Sequence, residues 1–244
     1  MNGSEPLALE YFAAGVPASE VFRSVLKDIC NISAEFATPE KGIHRLQEIC
    51  FVGSVSYFEA FCKDHFASLI NIEPSLVGRL KAAGQDVTID ASVVAMYGGS
   101  VASRLGFLVA EKYDFGTAKK INALYSALLK VSPFSSDEVR AYSRLLADRN
   151  LLVHHGGTYT LSYVMTNPEF AAEDRKGHAF WNSRVVGHED VAAAVDLLGS
   201  IAKKIVKATH ETLAKYIEDA GLSYEGERMK ALRFLRWWDD ENAP

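Results

Sequence analysis

A single apolar stripe in the last third of the chain limits the fold most strongly. Between residues 189 and 220, apolar or small side chains return every three or four positions, at Val191, Val195, Leu198, Ile201, Ala202, Ile205, Thr209, Thr212 and Tyr216. This spacing matches the repeat of an α-helix and directs one face toward neighbouring elements over about eight turns. Such a helix needs other helices to cover its stripe, so the sequence predicts a mainly α fold.

Further helical patterns occupy most of the remaining chain. Proline, glycine and capping residues separate them into predicted helices at residues 19–36, 43–69, 75–83, 91–111 and 117–129, and in a run from Ser136 to Gly156-Gly157. The sequence shows no internal repeat and no low-complexity linker. We therefore expect one helical domain spanning residues 1–244, in which long helices pack antiparallel as a bundle.

One region of the sequence lacks the helical spacing of apolar residues. Residues 158–164 alternate polar and apolar side chains, and residues 178–186 resemble them, with Phe180, Trp181, Val185 and Val186 as the apolar positions. Alternation with a period of two is typical of half-buried strands. The two segments are therefore predicted to pair as a small β-hairpin inserted into the helical fold.

Charge and cysteine usage narrow the class of protein. The formal net charge is −5, which argues against an extended coat of nucleic acid but leaves room for a local basic cleft. The cysteines, Cys30, Cys50 and Cys62, form no CxxC pair and predict buried thiols in a reducing compartment. The first ten residues do not resemble a signal peptide, and no apolar run is long enough to cross a bilayer. These features predict a soluble cytoplasmic protein without a membrane partner.

The motif that carries chemistry is Arg149-Asn150-Leu151-Leu152-Val153-His154, at the end of a predicted helix. On an ideal helix Arg149 and His154 point about 140° apart, so they are not expected to meet within one chain. Asn150 and His154, four residues apart, share a face, and the Asn150 amide could hydrogen-bond one imidazole nitrogen.

This geometry favours a homodimer with two-fold symmetry. If the helix end packs against its symmetry mate, two arginines and two histidines converge in one cleft. A histidine there can take a proton from an RNA 2′-hydroxyl or give one to the leaving oxygen. An arginine can stabilise the developing phosphorane charge through paired hydrogen bonds. The motif therefore predicts phosphodiester cleavage without a metal or other cofactor.

The hexad of Arg149, Asn150 and His154 resembles the R-N-x-x-x-H form of the signature of HEPN domains (higher eukaryotes and prokaryotes nucleotide-binding). The resemblance covers residues 43–216, with N- and C-terminal helical extensions outside it. It implies a HEPN-like helical bundle, homodimerisation and, in many members, metal-independent RNase activity in toxin–antitoxin or antiviral defence systems, with an antitoxin or regulatory protein as partner. It also implies that Arg149, Asn150 and His154 form the catalytic site.

Three other residues are candidates for supporting roles. Glu59 and Lys63 lie four apart on a predicted helix, and some HEPN nucleases place acidic and basic residues on the corresponding helix near the cleft; an ordinary intrahelical ion pair is the alternative. Tyr142 lies two turns before Arg149 on nearly the same face and could stack on a base, although a core tyrosine is the commoner role.

Simpler explanations of the motif remain open. Arg149 and His154 could be surface cations that complement the negative end of a helix dipole, with His155 as a bystander. The chain could also be a HEPN-like dimerisation or nucleic-acid-binding adaptor without catalysis, or an unrelated helical scaffold.

Two further groups of residues are candidates for ligand binding. His154, His155, His178 and His188, with Glu173 and Asp174, lack a metal-binding spacing such as HExxH, so no metal site is predicted. The basic aromatic segment at residues 228–238 could contact RNA, but docking on the core as an amphipathic helix is favoured.

Overall fold

A computed structural model of the chain describes residues 6–37, 44–98, 101–167 and 179–236. Within these ranges, two short 3₁₀ helices, Ala8–Tyr11 and Ala13–Gly15, precede the first α-helix. The α-helices are α1 (Ala18–Glu35), α2 (Arg45–Ile72), α3 (Leu76–Ala82), α4 (Ala91–Tyr97), α5 (Val101–Ala110), α6 (Ala118–Leu129), α7 (Ser136–His155), α8 (Leu161–Thr166), α9 (His188–Asp219) and α10 (Gly226–Phe234). The predicted mainly α fold is confirmed, and none of the described helices has the length and apolarity to cross a bilayer.

One predicted helix is divided in two. The segment expected to be helical over residues 91–111 forms α4 and α5, because α4 ends at Gly98 with φ +52° and ψ −126°. Glycine adopts such a conformation readily, whereas other residues rarely do. The predicted single helix is therefore interrupted after Tyr97.

The predicted β-hairpin at 158–164 and 178–186 is wrong. Leu161–Thr166 is helix α8, and the Thr160 hydroxyl caps it by accepting a hydrogen bond from the Tyr163 N–H at 3.1 Å. The described residues keep only an isolated antiparallel bridge between Thr158 and Ser183. A short run of alternating polar and apolar residues is compatible with either a strand or a helix. The N-cap at Thr160 favours the helix. His178 lies outside the described residues.

Backbone contacts group the chain into two compact units. Unit 1 comprises Met1–Ser24, Phe58–Ser135 and Ser200–Pro244, and unit 2 comprises Val25–Tyr57 and Ser136–Gly199. Each unit is therefore assembled from segments that lie far apart in the sequence.

Unit 1 has an aromatic core. Its stacked or edge-on rings, with centroids 5.2–6.4 Å apart, belong to Phe22, Phe58, Phe61, His65, Phe66, Tyr113, Phe115, Tyr125 and Phe134. Offset and edge-on aromatic pairs add about 0.5–1.5 kcal/mol each to the free energy gained by burial. Cys62 of this unit and Cys50 of unit 2 are buried free thiols, as predicted, whereas the free thiol Cys30 is only half-buried.

A close helix crossing also shapes unit 1. Gly106 of α5 lies against α2 so closely that a Cβ built on it would be 1.9 Å from the Ala67 carbonyl oxygen. The Asn71 side chain joins the crossing by accepting a hydrogen bond from the Gly106 N–H and donating one to the Tyr11 carbonyl. Only glycine permits this approach.

In unit 2, α1 runs antiparallel to both α2 and α9. The Ser33 hydroxyl donates a hydrogen bond to Gln47 of α2 and lies 2.9 Å from Nδ1 of His188 at the start of α9. Further back along α1, Ile29 lies beside Gly53 of α2, and Leu26 lies beside Gly199 of α9. As the residue numbers decrease along α1, the residue numbers of its contacts increase along α2 and α9. The helix α1 is therefore antiparallel to both.

Candidate functional site

The predicted site lies on the last two turns of α7, within unit 2. Leu151 and Leu152 are buried and anchor this end of the helix to the core, whereas Asn150 and His154 are exposed and Arg149 is half-buried. The alternation follows helical geometry, since buried and exposed faces repeat about every 3.6 residues. The motif is thus carried on a packed helix with His154 open to solvent.

Arg149 and Asn150 contact each other directly. Nη1 of Arg149 donates a hydrogen bond to Oδ1 of Asn150 at 3.0 Å. This contact orients the guanidinium group along the exposed side of α7. The predicted bond between Asn150 and the imidazole of His154 stays a prediction.

Two glycines end α7 directly after the histidines. Gly156 and Gly157 have φ values of +59° and +85°, which favour glycine. Gly157 is buried, and a Cβ on it would lie 3.4 Å from the carbonyl oxygen of Arg184. The chain therefore turns sharply beside His154 and returns against residues 180–184.

A buried carboxylate holds this return segment. Asp148, only 5% exposed, accepts hydrogen bonds from the Tyr163 hydroxyl and, at 3.0 Å, from Nε of Arg184. Nη2 of Arg184 also donates to Asp190 at 2.6 Å, and Asp190 in turn accepts from the Gly187 N–H at 2.9 Å. We refer to Asp148, Tyr163, Arg184 and Asp190 as the carboxylate network.

The electrostatics of the network keep its arginine charged. Burial alone would lower the pKa of Arg184, but hydrogen bonds and charge from Asp190 and Asp148 outweigh it and raise the pKa above its usual value. Burial raises the pKa of the Tyr163 phenol, and its hydrogen bond to Asp148 raises it further. Tyr163 therefore remains a neutral donor, and Asp148 is matched by a permanent cation.

The surface of α7 is basic from Val139 onward, after the acidic Asp137 and Glu138 of its first turn. Between Val139 and Gly157 the only carboxylate is Asp148, and it is buried and paired. The other ionisable side chains of this stretch that carry or can acquire charge near neutral pH are Arg140, Arg144, Arg149, His154 and His155. A groove of about 530 Å³ lies earlier on α7 and is lined by Arg140 and Arg144 together with apolar and small residues of α7 and the end of α8. A chain with net charge −5 thus presents a local basic face.

The supporting residues have different positions. Tyr142 is fully buried within unit 2, which is the core role that the sequence also allowed, and in this structure its ring has no face open to a base. Glu59 and Lys63 are half-buried residues of α2 within unit 1, whereas the motif belongs to unit 2. Their supporting role stays a prediction.

Sequence reasoning missed the carboxylate network. One signal was present: Asp148 lies three and four residues before Leu151 and Leu152, so it falls on the buried stripe of α7. A charge on a buried stripe requires a partner. Nothing in the local pattern identifies that partner as Arg184, which lies 36 residues away.

Among the described residues, no group of three or more histidine, cysteine, aspartate or glutamate side chains is arranged to hold a metal ion. Comparison of the chain with protein-family models, curated proteins and solved structures found no match.

Proposed function

We propose that this protein is a HEPN-type endoribonuclease that cleaves RNA without a metal, as a homodimer, with Arg149 and His154 at the reaction centre. The observation that carries the proposal is the placement of a solvent-exposed imidazole and a half-buried guanidinium on the last turns of one rigid helix. From Val139 to the end of that helix, the other exposed ionisable groups are basic as well. A polyanion is the ligand class that such a surface attracts.

The proposed reaction is attack by the RNA 2′-oxygen on the adjacent phosphorus. The 2′-hydroxyl loses its proton, a P–O2′ bond forms, and the P–O5′ bond breaks. The products are a 2′,3′-cyclic phosphate and a 5′-hydroxyl end, and the leaving oxygen receives a proton. His154 acts as the general acid or base, and Arg149 stabilises the charge on the phosphorane.

A second copy of the chain completes the proposed site. Arg149 and His154 point about 140° apart on one helix, so a single α7 does not aim both groups at one phosphate. A two-fold partner supplies the same pair from the opposite side. Asn150 holds the Arg149 guanidinium through their hydrogen bond, which limits its motion before RNA binds.

The biological setting follows from the same proposal. A nuclease that needs only RNA and its own side chains is harmful to the cell that makes it. We therefore expect a toxin or antiviral defence role, with an antitoxin or regulatory protein that covers the α7 face until it is needed.

RNA cleavage in EDTA tests the proposal. The purified protein should cut a single-stranded RNA and leave cyclic phosphate ends. Arg149→Ala and His154→Ala should each lower the rate by about 100-fold or more, because each removes a group that acts in the transition state. His155→Ala is the matched control, since His155 is also an exposed imidazole but lies on another helix face, and it should retain most of the activity.

Other outcomes separate the alternatives. Full activity in both Arg149→Ala and His154→Ala would overturn the catalytic assignment. RNA binding without any cleavage would indicate a non-catalytic adaptor. Sedimentation of the unmodified protein as a monomer at the concentration where it cleaves RNA would contradict the shared site.

A further inference from the structure

Two aromatic side chains project from unit 2 just beyond the motif. Phe180 is 69% exposed and Trp181 is 86% exposed, which is the largest exposed fraction of any large apolar side chain in the described part of the chain. Large rings are normally buried because their apolar area is costly to hydrate. Two adjacent exposed rings therefore suggest a binding role.

Backbone hydrogen bonds fix the position of these rings. The Arg184 N–H donates to the Gly157 carbonyl at 2.9 Å, the Tyr159 N–H to the Asn182 carbonyl at 3.0 Å, and the Phe180 N–H to the Tyr159 carbonyl at 2.7 Å. Phe180 itself has φ +66°, a left-handed conformation that is unfavourable for a residue with a side chain. The segment that presents the rings is thus both pinned and strained.

The same contacts place the rings near the motif. The Thr158 N–H bonds the carbonyl of His155 at 3.0 Å, and Thr158 is bridged to Ser183, two residues from Trp181. Extended-chain spacings then put the Trp181 backbone within about 15 Å of the end of α7. One short oligonucleotide can span that distance.

The basic groups of α7 from Val139 onward indicate the chemistry of the occupant. Apart from the buried Asp148, the ionisable groups between Val139 and Gly157 that are charged or can gain a proton near neutral pH are basic. Exposed aromatic rings beside basic side chains are the combination that binds single-stranded nucleic acid, because the rings stack on bases while the cations contact phosphates.

We propose that Phe180 and Trp181 form a platform on which unpaired bases of the bound strand stack. This inference rests on the proposed nuclease function and adds the selection of unpaired over paired strands. Bases within a duplex stack on one another and have no free face for Trp181, whereas the bases of a single strand can unstack onto it.

The test uses binding, which needs no catalysis. A single-stranded 2′-deoxyoligonucleotide lacks the attacking hydroxyl and cannot be cut by the proposed reaction. Replacement of Trp237 and Trp238 by Phe leaves Trp181 as the sole tryptophan, because the chain has three. Its fluorescence should be quenched as the oligonucleotide is added, and a duplex of equal length should quench it far less.

Variants measure the contribution of the ring. Trp181→Ala should weaken single-strand binding by roughly 5- to 150-fold, which corresponds to the 1–3 kcal/mol typical for loss of one base-stacking aromatic residue. Trp181→Phe keeps a stacking face and should recover most of the affinity. Phe36→Ala is the control: Phe36 is a 54% exposed aromatic of unit 2 on α1's C-terminal side, and its loss should leave the affinity unchanged.

Three results would overturn the platform. The first is an affinity of Trp181→Ala within twofold of that of the unmodified protein, and the second is equal quenching by duplex and single strand. The third is a shift of Trp181→Ala from dimer to monomer with unchanged oligonucleotide affinity, which would assign the rings to a protein contact. Failure of the nuclease proposal is recognised separately. In that case RNA remains uncut in EDTA even if the deoxyoligonucleotide quenches Trp181.

Discussion

Each unit buries a titratable side chain, and the two are stabilised in different ways. In unit 1, His65 is 1% exposed between the rings of Phe61 and Tyr125, and its Nε2 lies 2.8 Å from the Thr209 hydroxyl. Burial, with a smaller effect from His210, lowers the pKa of His65 to about 3, so the ring is neutral near pH 7. In unit 2, Asp148 remains paired with the charged Arg184.

The difference shows what each region can tolerate. A neutral imidazole needs one hydroxyl partner and otherwise fits an aromatic core. An ion pair needs every partner in place, because removal of one leaves an uncompensated charge away from water. Charge is retained in unit 2, immediately before the motif, where it can hold the return segment against α7. Unit 1 should therefore respond mainly to pH, and unit 2 mainly to the loss of a charged partner.

The largest predicted effect is on the carboxylate network. Asp148→Ala should lower the free energy of unfolding by about 3 kcal/mol, because Arg184 loses a buried partner and Tyr163 loses an acceptor. Urea unfolding measures the change. Hydrogen exchange should locate it in α7 and α8. RNA cleavage should fall as well, since the end of α7 would no longer be held.

A combined replacement sharpens this result. Changing Asp148 to Leu, Tyr163 to Phe and Arg184 to Met removes the buried ion pair and the hydroxyl together and keeps similar volumes. Asp190 loses Arg184 but is partly exposed to water and keeps its hydrogen bond from the Gly187 N–H. Apolar replacement of a whole buried ion pair is often neutral or stabilising, so the triple variant should recover most of the loss. If Asp148→Ala unfolds within 0.5 kcal/mol of the unmodified protein, on the order of an ordinary surface substitution, the network does not hold this region.

The second prediction concerns pH and unit 1. His65 takes up its proton near pH 6.5 when unfolded but only near pH 3 when folded. Between these values the unfolded chain binds more protons, so stability falls as the pH drops. At pH 5 the expected loss is about 2 kcal/mol relative to pH 7.

A variant isolates that contribution. His65→Gln keeps a polar group but cannot gain a proton, so its unfolding free energy should change less between pH 7 and pH 5. His210 also has a pKa lowered by burial and by Arg236, and it should give a smaller slope in the same direction. Identical pH slopes in the unmodified protein and His65→Gln would show that His65 is not the titrating group.

The sequence predicts the long helices of this protein better than its short helix α8 and its long-range contacts. The helical periodicity identifies α1, α2, α6, α7 and α9, because long amphipathic patterns carry their own signal. It misses α8, whose six residues are too few to establish a period. It also misses the pairing of Asp148 with Arg184, because a contact across 36 residues depends on tertiary packing rather than on local spacing.

The sequence also predicts the candidate site only in part. The sequence places Arg149, Asn150 and His154 on one helix end, and the structure adds that Asn150 accepts a hydrogen bond from Arg149. The exposure of Trp181 was not foreseen, because a period of two assigns alternate residues to a buried face. The described residues of this segment form only an isolated bridge and no strand, so the alternation does not apply and both Phe180 and Trp181 are exposed.

The smallest predicted effect compares two strained residues, one in each unit. Lys130 ends α6 with φ +58°, and Phe180 has φ +66° in unit 2. A left-handed residue at a helix end is common because its N–H, here bonded to the Ser126 carbonyl at 2.9 Å, completes the last turn. Phe180 belongs to none of the described helices, and its N–H instead donates to the Tyr159 carbonyl at 2.7 Å, which holds this segment against the chain that follows α7.

Glycine substitution separates strain that only ends a helix from strain that presents a ligand surface. Lys130→Gly and Phe180→Gly should each raise the free energy of unfolding by about 0.5–1 kcal/mol, since glycine adopts positive φ without a steric penalty and loses part of that gain to backbone entropy. Only Phe180→Gly should also weaken binding of the single-stranded deoxyoligonucleotide. A more stable protein that binds less tightly would show that the Phe180 strain is retained for binding, whereas unchanged affinity in Phe180→Gly would leave Trp181 as the whole of the platform.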